Sequence, residues 1–266
     1  MANIPAWRPV SWPLHRQKMR ATLNAGRTLT RQPKTLAHPP THSMRRSRAG
    51  PEQDLLDMFV TSGGVPRLAA ETIRLVEPAL PTGYPDLVCV SLDPASTRTA
   101  IRELTVPQLR LLHYLYSSRT SLVSSIASSL RNTESMLRRR LDQLCALDVL
   151  RLDKGRVWLP PRREIFPARS IVAVEAKISE PTRALHQASA NRWFASRSYI
   201  LVPRLAPAKQ VQAAARRLGV GIIVQHNDGP RTVLPARRQR IPISYGSWLV
   251  ALLAARLNQR ATPCLI

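Results

Sequence analysis

The apolar positions of the chain alternate between β-type runs and helical repeats, which predicts an α/β fold. Residues 171–174 are apolar at every position and largely β-branched, which is typical of a strand buried on both faces. Similar strands are predicted at 84–92, 199–202 and 220–224. Helical spacing at 181–196 and 208–218 predicts helices between the strands at 171–174, 199–202 and 220–224. This order favours an open sheet with crossover helices.

The segment before the first of these strands has helical spacing instead. Apolar residues at 55, 56, 59 and 60 predict one helix, and residues 66–76 predict a second helix that carries Glu71. Pro66 suits the first turn of that second helix. At the other end of the chain, residues 229–244 are basic and rich in proline, and 245–257 predict a closing helix.

Residues 95–165 have a different character from their surroundings. Three helices are predicted at 106–116, at 121–130 and after Thr133, which suits an N-cap; a tight hairpin around Asp153-Lys154-Gly155 follows. This order resembles a winged helix-turn-helix, whose third helix enters the major groove of DNA. The resemblance implies DNA contacts by Ser135, Arg138 and Arg139 on the helix and by Lys154 and Arg156 on the wing. The alternative is a helical insertion that packs on a neighbour or dimerises.

The net charge of the chain indicates what class of partner it binds. The 266 residues include 40 Lys+Arg and 16 Asp+Glu, a formal net charge of +24. Such an excess predicts a polyanionic partner, most simply nucleic acid. Residues 1–50 hold ten of the basic residues and no acid, and they are predicted to be a disordered basic arm. The rest of the chain keeps thirty basic residues, so the prediction does not depend on the arm.

Cysteine usage and hydropathy favour a cytoplasmic protein, associated with the nucleoid in a bacterial cell. Cys89, Cys145 and Cys264 are isolated and match neither a disulfide framework nor a zinc spacing. No apolar run approaches the roughly 18 residues of a membrane-spanning helix, so no membrane partner is expected. No apolar stretch follows the basic N-terminus, so no secretory signal is expected either.

Three charged residues stand at the ends of predicted strands. Pro85-Asp86 leads into one strand, and Glu175-Ala176-Lys177 closes the buried run at 171–174. Alternate residues of a strand point to the same side, so Glu175 and Lys177 are expected to project together. An ion pair on an edge strand is the simpler interpretation of that tripeptide alone. Taken together, Pro-Asp followed by Glu-x-Lys resembles the PD-(D/E)XK nuclease superfamily, over residues 65–93 and 170–225.

The resemblance implies a restriction-endonuclease-like mixed sheet flanked by helices. It implies a discontinuous domain of residues 51–94 and 166–266, interrupted by a winged-helix insertion at 95–165. Asp86, Glu175 and the Ala176 carbonyl would hold Mg²⁺ or Mn²⁺, and Lys177 would orient water or offset charge on the phosphate. Glu71 and Gln187 are further candidates for the site, with Glu77 as the substitute for Glu71.

The function expected from the sequence is therefore a metal-dependent DNA endonuclease with an embedded winged helix. A second hypothesis is a non-catalytic winged-helix DNA-binding protein or transcriptional regulator. A third is a structural protein whose basic surface meets RNA or a ribosome. A homodimer is compatible with each of them.

Overall fold

The structure is a computed structural model that describes residues 41–43, 49–65, 72–93 and 100–261 of the chain. A mixed sheet of seven strands lies at its centre, and a separate two-stranded hairpin lies in the middle of the chain. The strands are β1 (Thr41–Ser43), β2 (Thr72–Val76), β3 (Leu87–Leu92), β4 (Arg151–Asp153) and β5 (Arg156–Trp158) of the hairpin, β6 (Ala168–Ala176), β7 (Arg197–Pro203), β8 (Gly221–His226) and β9 (Gly229–Leu234).

Helices fill most of the remaining described segments. They are α1 (Pro51–Thr61), α2 (Ala100–Glu103), α3 (Val106–Ser118), α4 (Val123–Ser129), α5 (Glu134–Ala146), α6 (Arg162–Ile165), α7 (Pro181–Asn191), α8 (Lys209–Leu218) and α9 (Tyr245–Ala261). The predicted N-cap is confirmed, because the Thr133 hydroxyl accepts a hydrogen bond from the Met136 backbone N–H at the start of α5.

The sheet order is β1-β2-β3-β6-β7-β8-β9. Strands β2, β3 and β6 pair antiparallel, whereas β6, β7 and β8 pair parallel. Parallel neighbours need a crossover connection. Helices α7 and α8 lie in the connections between β6, β7 and β8, and α1 lies in the connection between the parallel strands β1 and β2. The chain leaves β3 through α2–α5 and the hairpin and returns in β6, so strands far apart in sequence become neighbours.

Helices cover both faces of the sheet, which confirms the predicted α/β class. Helix α1 packs Leu55 and Phe59 on one face, against Leu87 of β3 and Val174 of β6. On the opposite face, α7 and α8 pack on β7 and β8. Helix α9 and the helices between β3 and β6 pack on the remaining part of that face.

The insertion between β3 and β6 shares its hydrophobic core with the sheet. Leu104 and Leu112 of the insertion belong to the same buried cluster as Val90 and Ile171 of the sheet. Trp248 of α9 is fully buried and joins the two parts. The Phe166 ring meets it edge to face at 5.1 Å between centroids, and the tilted Tyr116 ring lies at 5.4 Å.

The helix predicted at 66–76 is wrong over its second half. Residues 72–76 form strand β2, and all five of them are buried. The run Thr72-Ile73-Arg74-Leu75 alternates polar and apolar residues as a strand does, although all of its side chains are buried. The spacing of Ile73 and Val76 also fits a helix, which continued the pattern predicted from Pro66. Arg74 stays in this buried strand by donating to the carbonyls of Val60 and Gly63.

Two short edge strands also differ from prediction. Strand β1 lies inside the segment predicted as a disordered arm, and β9 lies in the basic, proline-rich stretch at 229–244. Both are held by backbone pairing with β2 and β8, which leaves no hydrophobic pattern in the sequence. Residues 1–40 of the predicted arm lie outside the described residues.

Candidate functional site

Asp86 and Glu175 meet where β3 begins and β6 ends. Leu87 pairs with Val174 in the antiparallel register, and one step further places Asp86 opposite Glu175. Directly opposed residues of an antiparallel pair have their Cβ atoms about 4.5–5.5 Å apart. The sheet therefore brings together two carboxyl groups that the insertion separates in sequence, as the sequence predicted.

Each carboxyl group of this pair has a fixed partner. The Ala176 backbone N–H donates to Asp86 Oδ2 at 2.7 Å, and Asn191 Nδ2 donates to Glu175 Oε1 at 2.5 Å. Glu175 is only 3 % exposed, although it is an acid. Burial of this kind costs free energy unless a proton or a cation neutralises the charge.

The environment of the pair favours the protonated acid. Burial, together with the neighbouring charge of Asp86, raises the pKa of Glu175 to about 8. Burial also raises the pKa of Asp86, against the opposing effects of the Ala176 N–H and of Lys177. Two carboxyl groups side by side in a dry site cannot both ionise cheaply. The two carboxyl groups can therefore share one proton, or a bound cation can displace that proton into solvent.

Lys177 lies next to the pair but is tied to another acid. The residue directly follows β6, and its backbone N–H still donates to the Leu201 carbonyl of β7 at 3.0 Å. Its Nζ donates to Glu52 Oε2 at 2.7 Å, and its side chain is 16 % exposed. Its positive charge still lowers the pKa of both Asp86 and Glu175. Lys177 thus links the acid of α1 to the acids of the sheet.

Glu52 and Asn191 are the two residues at this site that the sequence analysis missed. Asn191 continues the buried stripe of Ala184 and Ala188 along α7, and a polar residue in an apolar stripe is a signal that could have found it. Glu52 stands in the first turn of α1, three residues before buried Leu55, with no comparable signal in its spacing.

Two further residues were predicted to take part in the site. Glu71 lies outside the described residues, and the helix predicted to carry it is replaced by β2 from Thr72 onward. Gln187 has an exposed side chain, one turn before Asn191 on α7. Gln187 is exposed because it lies off the apolar stripe of α7, and only that stripe faces the sheet. The acid next to Lys177 comes from α1 through Glu52.

The residues present suit a hard divalent cation. Within the described ranges no group of three or more His, Cys, Asp or Glu side chains could hold a metal ion. Asp86 and Glu175 are two such ligands, and the Ala176 carbonyl is a third oxygen of the predicted set. Mg²⁺ commonly takes one or two carboxylates and keeps water or substrate oxygen at its other positions. A cation would also neutralise the two buried acids, so this set fits the metal.

A second candidate surface lies on the insertion. Leu137, Leu141 and Leu144 of α5 are buried, while the opposite face of the helix is exposed. All five residues predicted to contact DNA are exposed: Ser135, Arg138, Arg139, Lys154 and Arg156. Of these, Arg138 forms an exposed ion pair with Glu134 at 3.6 Å. Such pairs contribute little stability, so the guanidinium remains available to another anion.

The hairpin beside α5 is a two-residue turn, as predicted. Lys154 and Gly155 both have positive φ, 46° and 73°, which matches the twist of a tight hairpin. The segment before α4 fixes its position, because Val123 N–H donates to the Gly155 carbonyl and Val157 N–H donates to the Ser121 carbonyl. Lys154 is therefore presented at the tip of a rigid hairpin.

Comparisons with protein-family models, curated proteins and solved structures found no match to this chain. Across the described helices, none is both long and apolar enough to cross a membrane.

Proposed function

We propose that this protein is a metal-dependent DNA endonuclease that hydrolyses phosphodiester bonds. The observation that carries the proposal is the buried pair Asp86–Glu175, with Lys177 beside it. A protein gains no stability from two apposed acids in a dry site, so such a pair is typical of a functional site. The pairing of β3 with β6, and helix α7 between the parallel strands β6 and β7, agree with the mixed sheet flanked by helices that the resemblance implies, and they support the same proposal.

Each residue has a defined part in this chemistry. Asp86, Glu175 and the Ala176 carbonyl would hold Mg²⁺ or Mn²⁺, and the bound cation would polarise the phosphate and activate water. Asn191 holds one Glu175 oxygen in place. Lys177 Nζ supplies positive charge beside the scissile phosphate or orients the attacking water. Glu52 restrains that ammonium group until the substrate competes for it.

The test is cleavage of supercoiled plasmid and of linear duplex DNA, with Mg²⁺, with Mn²⁺ and with EDTA. We expect metal-dependent nicking or linearisation by the wild type. Glu175→Gln and Lys177→Ala should each lower the rate by roughly 100-fold or more, since each removes a group that acts on the reacting phosphate. Glu180→Gln is the matched control, because Glu180 is an exposed acid close in sequence whose partner is Arg183.

A folded Lys177→Ala variant that cuts as fast as the wild type would refute the proposed site. Equal cleavage by Glu175→Gln would point to a contaminating nuclease.

A non-catalytic DNA-binding protein is the second candidate. It is favoured by the exposed arginines of α5 and the hairpin beside them, which need no metal to bind phosphate. It predicts DNA binding that is unchanged by EDTA and by Glu175→Gln. It also predicts no cleavage in any metal condition, so metal-dependent cleavage by the wild type that is lost in Glu175→Gln separates the two candidates.

A further inference from the structure

The C-terminal third of the chain has an extreme charge imbalance that neither the acid pair nor the insertion explains. Residues 181–266 contain thirteen Lys or Arg and a single acid, Asp228. That acid is already paired with Arg231. Surface arginines usually alternate with acids that neutralise them, so an excess concentrated on one surface indicates an anionic partner.

Six of these arginines are gathered around the end of α8 and the segment that precedes α9. We call them the arginine cluster: Arg192, Arg216, Arg217, Arg237, Arg238 and Arg240. Arg216 and Arg217 form the last turn of α8, which ends at Gly219 in a left-handed conformation. The Arg237 backbone N–H donates to the Gly219 carbonyl at 3.1 Å. The end of α8 and the segment 235–240 are thus in direct contact.

Arg192 and Gln239 fasten this segment to the fold. Arg192 Nη1 donates to the carbonyls of Gly219 and Arg237, and its Nη2 donates to Gln239 Oε1 at 2.8 Å. Gln239 Nε2 donates in return to the carbonyls of Arg192 and Ala195. Gln239 is therefore held inward, and the side chains of Arg238 and Arg240 on either side of it are exposed.

This arrangement gathers like charges instead of separating them. The charge of Arg237 adds to burial in lowering the pKa of Arg192. The two arginines at the end of α8 have a local explanation, because cations favour the C-terminus of a helix. Arg237, Arg238 and Arg240 follow a strand instead, so the helix dipole does not explain them. A rigid segment with several exposed guanidinium groups is suited to a repeated anion such as a phosphate backbone.

The cluster lies toward the end of the sheet at which the insertion is attached. Gly221 pairs with Tyr199, and Val172 pairs with Arg197, so α8 ends near the starting ends of β7 and β8. Ile200, the partner of Glu175, lies three positions after Arg197 in β7. About 10 Å along the strands therefore separates this end of the sheet from Glu175. The chain enters the insertion after β3 and re-enters the sheet at β6, on this same side.

A direct contact joins the cluster to the insertion. Arg162, four residues after β5, donates to the carbonyls of Ile241 and Pro242, which immediately follow Arg240. We propose that the arginine cluster is a second contact surface for the phosphate backbone of duplex DNA, continuing the DNA-binding face of the insertion. This inference rests on the proposed function for its choice of DNA as the polyanion.

The test measures binding of a 40-base-pair duplex to the full chain without metal, in the Glu175→Gln background so that cleavage does not interfere. The test variant is Arg237→Gln/Arg238→Gln/Arg240→Gln. The matched control is Arg169→Gln/Arg183→Gln/Arg231→Gln, which removes three arginines that are paired with Asp93, Glu180 and Asp228. Both variants lose the same charge, so long-range electrostatics change equally.

We expect the test variant to bind about tenfold or more weakly near 0.15 M salt and the control to bind almost as the parent does. The slope of log affinity against log salt should fall by roughly 2–3 in the test variant only, about 0.9 for each lost phosphate contact. Equal affinity and slope in the two triple variants would overturn the proposal. Tighter binding of duplex RNA than of DNA by the cluster-dependent mode would also overturn it.

This result is independent of the cleavage assay. If the protein cuts DNA and the two triple variants bind alike, the nuclease stands and the second surface fails. If binding depends on the cluster and no metal condition gives cleavage, the surface stands and the nuclease fails.

Discussion

At the scale of single residues, the feature with the largest consequences is the pKa of Glu175. Glu175 is almost fully buried next to Asp86, and burial raises its pKa to about 8. In the unfolded chain it returns to the ordinary value near 4.5. Between about pH 4.5 and pH 8 the folded state therefore keeps a proton on Glu175 that the unfolded state has released. The ionisation of Glu175 thus lowers the free energy of unfolding progressively as the pH rises through this range.

We predict that Glu175→Gln stabilises the metal-free protein, and more so at pH 8 than at pH 5. Glutamine keeps the shape of the protonated acid, its oxygen can still accept from Asn191, and it does not ionise. The melting temperature of variant and wild type, measured with EDTA across this range, checks the prediction. Glu180→Gln should show no such trend, and a pH-independent difference for Glu175→Gln would count against the buried ionisation.

The sequence identified Asp86, Glu175 and Lys177 because these residue types stand at the ends of apolar runs. It could not identify Glu52, whose approach to Lys177 depends on how α1 lies on the sheet. Asn191 interrupts the apolar stripe of α7, which is visible in the sequence, whereas Gln187, the residue that the resemblance implies, is exposed.

At the scale of elements, strand β8 shows how closely the sheet and the C-terminal segment approach. Gly221 begins the strand between β7 and β9. A Cβ atom added there would lie 2.3 Å from the Tyr199 ring and 2.7 Å from the Ala236 backbone nitrogen. The Ala236 backbone nitrogen cannot move without displacing the segment that carries Arg237, Arg238 and Arg240. Glycine is therefore needed at this position for space.

We predict that Gly221→Ala destabilises the protein by about 1–3 kcal/mol or more, the usual range for overpacking a dense interior. Equilibrium unfolding in urea measures the change. Gly50→Ala is the control, because Gly50 has extended backbone and no atom within 4 Å of the added Cβ. Similar free energies of unfolding for the two variants would show that the segment at Ala236 is free to move away.

Element prediction from the sequence succeeded for helices with an apolar stripe, such as α5, α7 and α8, and for strands that contain a continuous apolar run, such as β6, β7 and β8. Strand β2 mixes polar and apolar residues and was predicted as a helix. Strands β1 and β9 depend on pairing with a neighbour, which local sequence does not encode.

At the scale of the whole molecule, the insertion and the sheet are parts of one core. Leu104 and Leu112 belong to the cluster that contains Val90 and Ile171, and Arg256 of α9 donates to the carbonyls of Arg102 and Leu104. The resemblances in the sequence suggested two units with separate roles. Their common core could not be predicted, because it depends on α9 packing between them.

We predict that Leu104→Ala weakens both parts together, by about 2–5 kcal/mol, as expected for a large truncation in a packed core. Native-state hydrogen exchange should show the same loss of protection for amides of α3 and of β6. Leu205→Ala is the control, since Leu205 is 81 % exposed. Loss confined to α3 would mean that the insertion unfolds independently.

The pairing of β3 with β6 also determines when the candidate site can exist. The contact between Asp86 and Ala176 closes a loop of 90 residues. Loop-closure entropy grows only with the logarithm of loop length, so an intervening segment of this size adds little to the thermodynamic cost. The long separation in sequence instead affects the order in which parts of the protein form. During synthesis the helices and hairpin of the insertion emerge first, and the acid pair forms only after β6 has left the ribosome and annealed to β3.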